Sequence, residues 1–190
     1  SPVDYIALDD LYNPQGFSLN NAFSGDTTYG FNTNISISTS QIFSELYSLI
    51  ESTAFTITDG NGNDTLDFSG FSNNQVIDLR STEKNSSTLH PSDIAGVNGN
   101  LIISAGTIIE NAVGGFGNDT ITGNFKNNNL NGGKGNDLLI GGQGDDTYII
   151  DSILDIVKEN LNEGTDLILS SVSYSLPNSL EQLTLTSFLD

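Results

Sequence analysis

Between Gly114 and Ile149 apolar residues recur on a nine-residue period, in four abutting blocks: GGFGNDTIT, GNFKNNNLN, GGKGNDLLI and GGQGDDTYI. Each block reads as six turn-forming residues followed by three strand-forming ones. Side chains along a strand alternate faces, so only the middle residue of three points inward. Those residues are Ile121, Leu130, Leu139 and Tyr148, which predicts a core one residue wide. If two blocks make one winding, loops on the same edge stand 18 residues apart.

Outside this stretch the pattern is less regular. Ser1 to Asn13 carries apolar residues at helical spacing before Pro14, and Ser40 to Ser52 places Ile42, Phe43, Leu46, Leu49 and Ile50 on one helical face. Short strands are predicted at Ile35–Ser38, Ala54–Asp59, Leu101–Ser104 and Thr107–Ile109. Phe68 to Leu79 reads as a strand, a turn at Asn73-Asn74 and a second strand, and Arg80 to Pro91 as a surface loop. Ile153, Leu154, Ile156 and Val157, then Asp166–Leu176 and Leu180–Leu185, are strand-like. A stack of parallel strands ends in unpaired backbone groups, so this last segment is the candidate cap. The predicted class is mostly β: a parallel β-roll with flanking strands, one or two short helices and a C-terminal β cap.

Composition narrows the chemistry. With 24 acidic and 5 basic residues the net charge is −19, a poor surface for nucleic acid or anionic lipid. Much of the acid lies in the repeat loops, where opposed carboxylates repel unless neutralised. Cysteine is absent, which excludes disulfides and thiol catalysis. No run approaches the ~18 apolar residues of a membrane span. Ser1 reads as the start of a piece cut from a longer chain, and a monomer is expected. His90 is the only histidine and reads as a solvated loop residue. One histidine cannot build a His-rich zinc centre, and no G-x-S-x-G elbow is present, so the chain is expected to be non-enzymatic.

The blocks follow G-G-x-G-x-D-x-U-x with U apolar, an already established signature of calcium-binding β-helices. Its physical logic is that glycines at positions 1, 2 and 4 permit positive φ and leave carbonyls uncovered, while position 6 adds a carboxylate. Two such loops one winding apart offer the all-oxygen shell that Ca2+ takes, so several calcium ions are expected. Asp59–Asp67 is a fifth nonapeptide, with Asp for the first Gly. Extending the phase by nines puts Glu110 and Asp155 at position 6. The same-edge pairs are then Glu110 with Asn128, Asp119 with Asp137, Asn128 with Asp146, and Asp137 with Asp155. Pairs through Asn128 lose a charge, and Asn124 and Lys126 replace loop glycines there, so Asn128–Asp146 is expected to be weakest. Composition alone would suit a flexible linker, but three complete in-phase matches argue against one. Without calcium the stretch is expected to be largely disordered, because so thin a core does not offset chain entropy.

Three motifs in order, Gly25–Asn32, Asp59–Phe71 and Ile109–Gly115, resemble the C-terminal calcium-binding domain of serralysin-type secreted zinc metalloproteases. The resemblance runs from about Asp4 to Thr147. It implies a site joining the carbonyls of Phe23, Gly25 and Thr27 to Asp59, Asn61, Gly62 and Asp64. In the roll it implies carbonyls 2 and 4 plus acid 6 of one loop, with carbonyls 1 and 3 plus acid 6 of the loop two blocks on. For the best pair these are Gly115, Gly117 and Asp119 with Gly132, Lys134 and Asp137. The same rule joins Gly133, Gly135 and Asp137 to Ile150, Ser152 and Asp155. It also joins Ile108 and Glu110 to Gly123, Phe125 and Asn128, and Asn128 in turn to Gly141, Gln143 and Asp146. The Phe43–Ile50 helix and the Arg80–Pro91 loop look like insertions, and the tail after Tyr148 is more similar to large RTX exoproteins and adhesins.

The implied organisation is a linker helix at 1–13, the N-terminal part of the domain at 14–112, the roll at 113–157, and a cap with a candidate secretion signal at 158–190. The implied role is a non-catalytic calcium-binding RTX module of a type I secreted, extracellular protein. Its partners would be the exporter and a catalytic or adhesive domain preceding it in the same chain. The alternative is a surface module that binds glycan or another protein.

Overall fold

The computed structural model describes residues 25–35, 45–83 and 88–186. The predicted helix at Ser1–Asn13, the candidate ligand Phe23, most of the predicted Ile35–Ser38 strand and the Ser40–Ser44 part of the second helix lie outside the described residues.

The strands are β1 (Thr28–Gly30), β2 (Phe55–Ile57), β3 (Thr65–Asp67), β4 (Val76–Asp78), β5 (Ser92–Ile94), β6 (Val97–Ile103) and β7 (Asn111–Val113), followed by β8 (Thr120–Thr122), β9 (Asn129–Asn131), β10 (Leu138–Ile140), β11 (Thr147–Ile150), β12 (Ile156–Lys158), β13 (Leu167–Ser170) and β14 (Gln182–Leu185). One sheet runs β1-β3-β7-β9-β11-β13-β14, parallel throughout. The other runs β12-β10-β8-β4-β5-β6-β2 and is parallel except at β5, which is antiparallel to both neighbours. From β7 onward successive strands alternate between sheets as far as β13.

Register turns the middle residues into two columns. In the first sheet Tyr29, Leu66, Ala112, Leu130, Tyr148 and Ile168 are aligned and fully buried. In the second, Ile77, Ile121 and Leu139 are equally buried and Val157 nearly so. The core is wider toward the N-terminal end, where Phe31 packs edge-on against Phe71 with centroids 5.0 Å apart and Phe68 lies 6.3 Å from Phe71.

Several local expectations give way to this packing. Phe68–Leu79 forms only its second strand. Phe68 and Phe71 are both buried, whereas a strand would send residues three apart to opposite faces, so the chain turns, with Phe71 N donating to Phe68 O at 3.1 Å. Thr107–Ile109 is not a strand; β7 follows at Asn111–Val113, on the nine-residue phase, while Thr107 uses its hydroxyl to accept from Asp59 N at 3.0 Å. Ile153 and Leu154 sit in an exposed turn instead of a strand. β13 stops at Ser170, whose hydroxyl donates to Val172 O at 2.8 Å, so the strand expected to reach Leu176 is shorter. Within the described residues the second helix is one turn, α1 (Leu46–Leu49). Thr28–Gly30, read as loop, is an edge strand, and a β5-β6 hairpin arises at Ala95-Gly96, both at positive φ. The His90 side chain is 20% exposed, with Nδ1 3.8 Å from Asp78 Oδ2, an oxygen that also holds Arg80 at 2.6 Å.

Replacing Leu139 by Ala should cost about 2–5 kcal/mol in urea denaturation, because a one-residue core cannot close over the cavity. Ile156→Ala, on a residue 59% exposed in the adjacent strand, should change stability by less than about 0.5 kcal/mol. Equal effects would contradict the inward and outward assignment.

Candidate metal centre

Because the chain turns after every strand, its polar hexamers stack along two edges. On one edge lie the turn before Gln75 and the loops ending in Asp119, Asp137 and Asp155. Each acid reaches back one winding: Asp119 Oδ1 accepts from Gln75 N at 2.7 Å, Asp137 Oδ1 from Asp119 N at 2.8 Å, and Asp155 Oδ1 from Asp137 N at 3.0 Å. On the other edge Asp64 Oδ1 accepts from Thr27 N at 2.8 Å and Glu110 Oε2 from Asp64 N at 2.8 Å. The Glu110 carbonyl then accepts from Asn128 Nδ2 at 3.1 Å, Asp146 Oδ1 from Asn128 N at 2.7 Å, and Asp166 Oδ1 from Asp146 N at 2.9 Å. An outer asparagine row runs beside each: Asn118 Oδ1 accepts from Asn136 N, and Asn127 Oδ1 from Asp145 N, both at 2.9 Å.

The glycines set how closely these loops approach. A side chain on Gly133 or Gly135 would overlap the carbonyl oxygens of Gly115 and Gly117, so each loop lays its positions 2 and 4 directly on the carbonyls of the loop before. Gly133, Gly135, Gly142 and Gly144 also have positive φ, whereas Gly115 and Gly117 do not and are small only because the Phe71 and Asn73 carbonyls press on them. Asn124 takes the place of glycine at position 2 of its loop. Its Nδ2 instead donates to the Ile109 carbonyl at 2.8 Å and the Leu79 carbonyl at 3.2 Å.

The acids at the bottom of these loops are almost dry: Asp64, Asp119 and Asp146 are 1% exposed and Asp137 is 2% exposed. Asp59 Oδ1, Asp137 Oδ2 and Asp146 Oδ2 are buried and have no hydrogen-bond partner. An unpartnered buried carboxylate oxygen is strongly disfavoured unless a proton or a cation neutralises it. Burial, and then repulsion from Asp155, Asp119 and Asp151, pushes Asp137 from 3.8 up to about 7. Asp146 rises to about 7 through burial and the charges of Glu159, Asp166 and Asp145. Asp64 does so through burial and those of Asp59, Glu110 and Asp26. Among the described residues no three acidic or imidazole side chains gather around one point. The donor set is instead one carboxylate per loop amid closely packed carbonyls, which suits a hard divalent cation and not a transition metal.

The structure brings together all four same-edge pairs predicted from the period. Of the remaining candidates, Gly25 and Thr27 lie against Gly62 and Asp64; Asn61 is exposed on that loop. Lys134 N donates to the Gly115 carbonyl at 2.8 Å, while the Lys134 ammonium turns out to Asp151. Ile108, Gly123, Gly132, Gly141 and Gln143 hold their loop positions, the Phe125 ring points to solvent, Ile150 ends β11 and is buried, and Ser152 N donates to Asp155 Oδ2 at 3.1 Å. Sequence reading missed Gln75, Glu159 and Asp166. Asp166 stands 20 residues after Asp146, off the period by two, yet Gly164-Thr165-Asp166 carries the same Gly-x-Asp spacing as Gly135-Asn136-Asp137.

Residues 19–174 match the family described as Peptidase M10 serralysin C terminal. The chain is similar to metallopeptidase AprA of Pseudomonas marginalis, 43% identical over 118 residues, covering 62% of this chain and 22% of that protein. It is also similar to serralysin C of Dickeya chrysanthemi, 46% identical over 98 residues, covering 52% of this chain and 18% of that protein. Serralysin of Proteus mirabilis is 42% identical over 101 residues, covering 52% of this chain and 18% of that protein. The matched part of the chain thus spans about a fifth of the length of these curated relatives.

The raised carboxyl groups fix the sign of a pH effect. In the absence of divalent cations, the folded state holds protons that the unfolded chain releases. The stability from protonated Asp64, Asp137 and Asp146 is present below about 4 and lost as pH rises through about 7. Circular dichroism in chelator should therefore show more strand at pH 5 than at pH 8; equal or greater strand content at pH 8 would contradict it.

Proposed function

We propose, from the premise that this chain belongs to the Peptidase M10 serralysin C-terminal family, that it is a non-catalytic calcium-binding RTX module of a secreted protein. It crosses a type I exporter unfolded where calcium is scarce and folds outside the cell. There it supports a domain that precedes it in the parent chain, which the relatives' names suggest is a metalloprotease. The observation that carries this reading is the set of buried carboxylate oxygens, Asp59 Oδ1, Asp137 Oδ2 and Asp146 Oδ2, that have no partner from the protein.

The residues that would hold the ions are those at the stacked edges. Gly115, Gly117 and Asp119 with Gly132, Lys134 and Asp137 form one such set, and Gly133, Gly135 and Asp137 with Ile150, Ser152 and Asp155 the next. Thr27, Gly25 and Asp64 with Asp59, Asn61 and Gly62 serve the N-terminal end, and Ile108, Glu110, Gly123, Phe125, Asn128, Gly141, Gln143 and Asp146 the remaining edge. Bound calcium supplies the positive charge that lets these carboxylates stay ionised out of water. The protein's own part is to hold loops in register: each acid clamps the backbone N–H of the loop before it, and glycine lets carbonyls meet at contact distance.

Linkage converts this into folding. A ligand that binds only the folded chain stabilises it by RT ln(1 + [L]/Kd), about 1.4 kcal/mol per site at a tenfold excess over Kd. Extracellular calcium modules bind with Kd of about 10⁻⁴ to 10⁻³ M, which leaves them empty in cytosol and filled outside. The lack of a His-rich motif in a chain with one histidine supports the non-catalytic role. Among the described residues no helix is long and apolar enough to cross a membrane.

Calcium titration followed by far-UV circular dichroism should convert coil to strand, and magnesium, which demands a tighter and more hydrated octahedron, should not. Asp137→Asn, which weakens two stacked sites at once, should raise the calcium midpoint by about tenfold or more, equivalent to about 1.4 kcal/mol. A chain already strand-rich in chelator at pH 8, with an unshifted Asp137→Asn midpoint, would defeat the reading.

A further inference from the structure

The crossing from the second sheet to the first breaks after β4. Instead of returning to the first sheet, the chain adds β5 and β6 to the second, and the crossing is made only from β6 to β7. The outgoing chain leaves through Leu79 and Arg80, and the incoming chain arrives through Thr107, Ile108 and Ile109, so two separate stretches stand where later windings have one loop. Asn124, in the next loop, joins them: its Nδ2 donates to the Ile109 carbonyl at 2.8 Å and the Leu79 carbonyl at 3.2 Å. Both stretches, with the loops after β8 and β10, enclose a cavity of about 430 Å³.

Its walls fall into two groups. Leu79 is buried and Ile108 and Ile140 are half-buried, which gives an aliphatic lining. Arg80, Glu83, Phe125 and Gln143 also line it and are exposed. Asp78 holds Arg80 at Nε, 2.9 Å away, and at Nη2, 2.6 Å away, which fixes the guanidinium plane and leaves Nη1 as the nitrogen that Asp78 does not use. The His90 ring lines the cavity too, with Nδ1 committed to the Asp78 side and Nε2 as its other polar atom.

Phe125 is the unusual member. It is 59% exposed at position 3 of its nonapeptide, and the Lys126 ammonium stands 5.3 Å from its ring centroid. A cation over one face helps to hold the ring in place and leaves the other face for a ligand. Phe116 occupies the same loop position on the opposite edge, 62% exposed, and takes no part in this cavity.

Charge decides the ligand class. The chain carries −19 as a whole, yet the charged side chains around this mouth balance, Arg80 and Lys126 against Asp78 and Glu83. Such a set favours a neutral molecule rich in hydroxyl groups, which finds donors in Arg80, His90 and Gln143 and acceptors in Glu83 and the Gln143 amide oxygen. The C–H groups of a pyranose ring are weakly positive and pack on the negative face of an aromatic ring. The cavity volume falls within the roughly 300–1,000 Å³ of small-molecule sites.

We propose that this cavity is a carbohydrate site that takes one neutral pyranose unit, with Phe125 as the stacking platform and Arg80, Glu83, His90 and Gln143 as the hydrogen-bonding rim. It goes beyond the calcium reading and is compatible with it, because it uses the side chains of Phe125 and Gln143 where that reading uses their carbonyls.

Saturation-transfer difference NMR on the chain in calcium tests it, with folding followed by far-UV circular dichroism in the same buffer. The probes are the methyl glycosides of glucose, galactose and mannose, with methyl glucuronide as the anionic comparison. Transfer to at least one neutral glycoside, strongest at its ring C–H protons, is the expected result. Phe125→Leu, which keeps apolar bulk and removes the π face, should weaken that glycoside about tenfold, while Phe116→Leu should leave it unchanged. Should Phe125→Leu fold poorly, Glu83→Ala, at an exposed side chain, should weaken the same glycoside. Undiminished binding in the cavity variant that folds, equal loss in Phe116→Leu, or a preference for the glucuronide overturns the proposal. A folded chain that ignores every neutral glycoside overturns this site alone; a chain that does not fold in calcium overturns the calcium reading and this site together.

Discussion

Carboxylates held out of water along the two edges of a one-residue core are the constraint on which the rest of this structure depends. A strand of three residues can bury one side chain, and columns of Ile, Leu and Tyr that narrow cannot offset the entropy of ordering twice as many loop residues. The loops must contribute. Yet what they contribute in the bare protein is repulsion: Asp137 faces Asp119 and Asp155 from neighbouring windings, and burial pushes it up to about 7. Structure and electrostatic repulsion therefore share a location.

The same acids also do geometric work. One oxygen of Asp137 holds the backbone of Asp119, and Asp137's own backbone is held by Asp155, so the row is a ladder in which each rung positions the next. Such coupling makes the stack quasi-one-dimensional, with stability carried by contacts between successive windings. Glycine supplies the rest by close approach, and at Gly133, Gly135, Gly142 and Gly144 by positive φ as well. Its use at Gly115 and Gly117 is different, since there only the nearness of the Phe71 and Asn73 carbonyls excludes a side chain.

The two ends of the roll meet different demands. At the N-terminal side Phe31, Phe68 and Phe71 build a conventional core, and an antiparallel β5-β6 hairpin widens the second sheet. Toward the C-terminus the first sheet continues through β13 and β14 while the second ends at β12. Tyr174 leans over that shorter edge, its hydroxyl donating to the Asp155 carbonyl at 2.9 Å, so a side chain stands where another strand would otherwise pair.

The period alone determined the roll. Once Ile121, Leu130, Leu139 and Tyr148 recur every nine residues behind glycine-rich hexamers, strand length, inward face and loop pairing follow from strand alternation, and the family resemblance agrees with that derivation. The period even outperformed local composition at Asn111–Val113, where apolar Ile108 and Ile109 drew the expected strand too early. Only the tertiary structure decided the rest. Phe68 and Phe71 abandon a strand because both are needed inside, and the His90 ring comes to lie 3.8 Å from the Asp78 carboxylate. Asp166 escapes a nine-residue count because the last winding is two residues longer, whereas Glu159 keeps the count, 18 residues after Gly141, and escapes because an acid stands where the signature has glycine. Repetition is written in the sequence; departures from it are settled by which side chains can share the same interior.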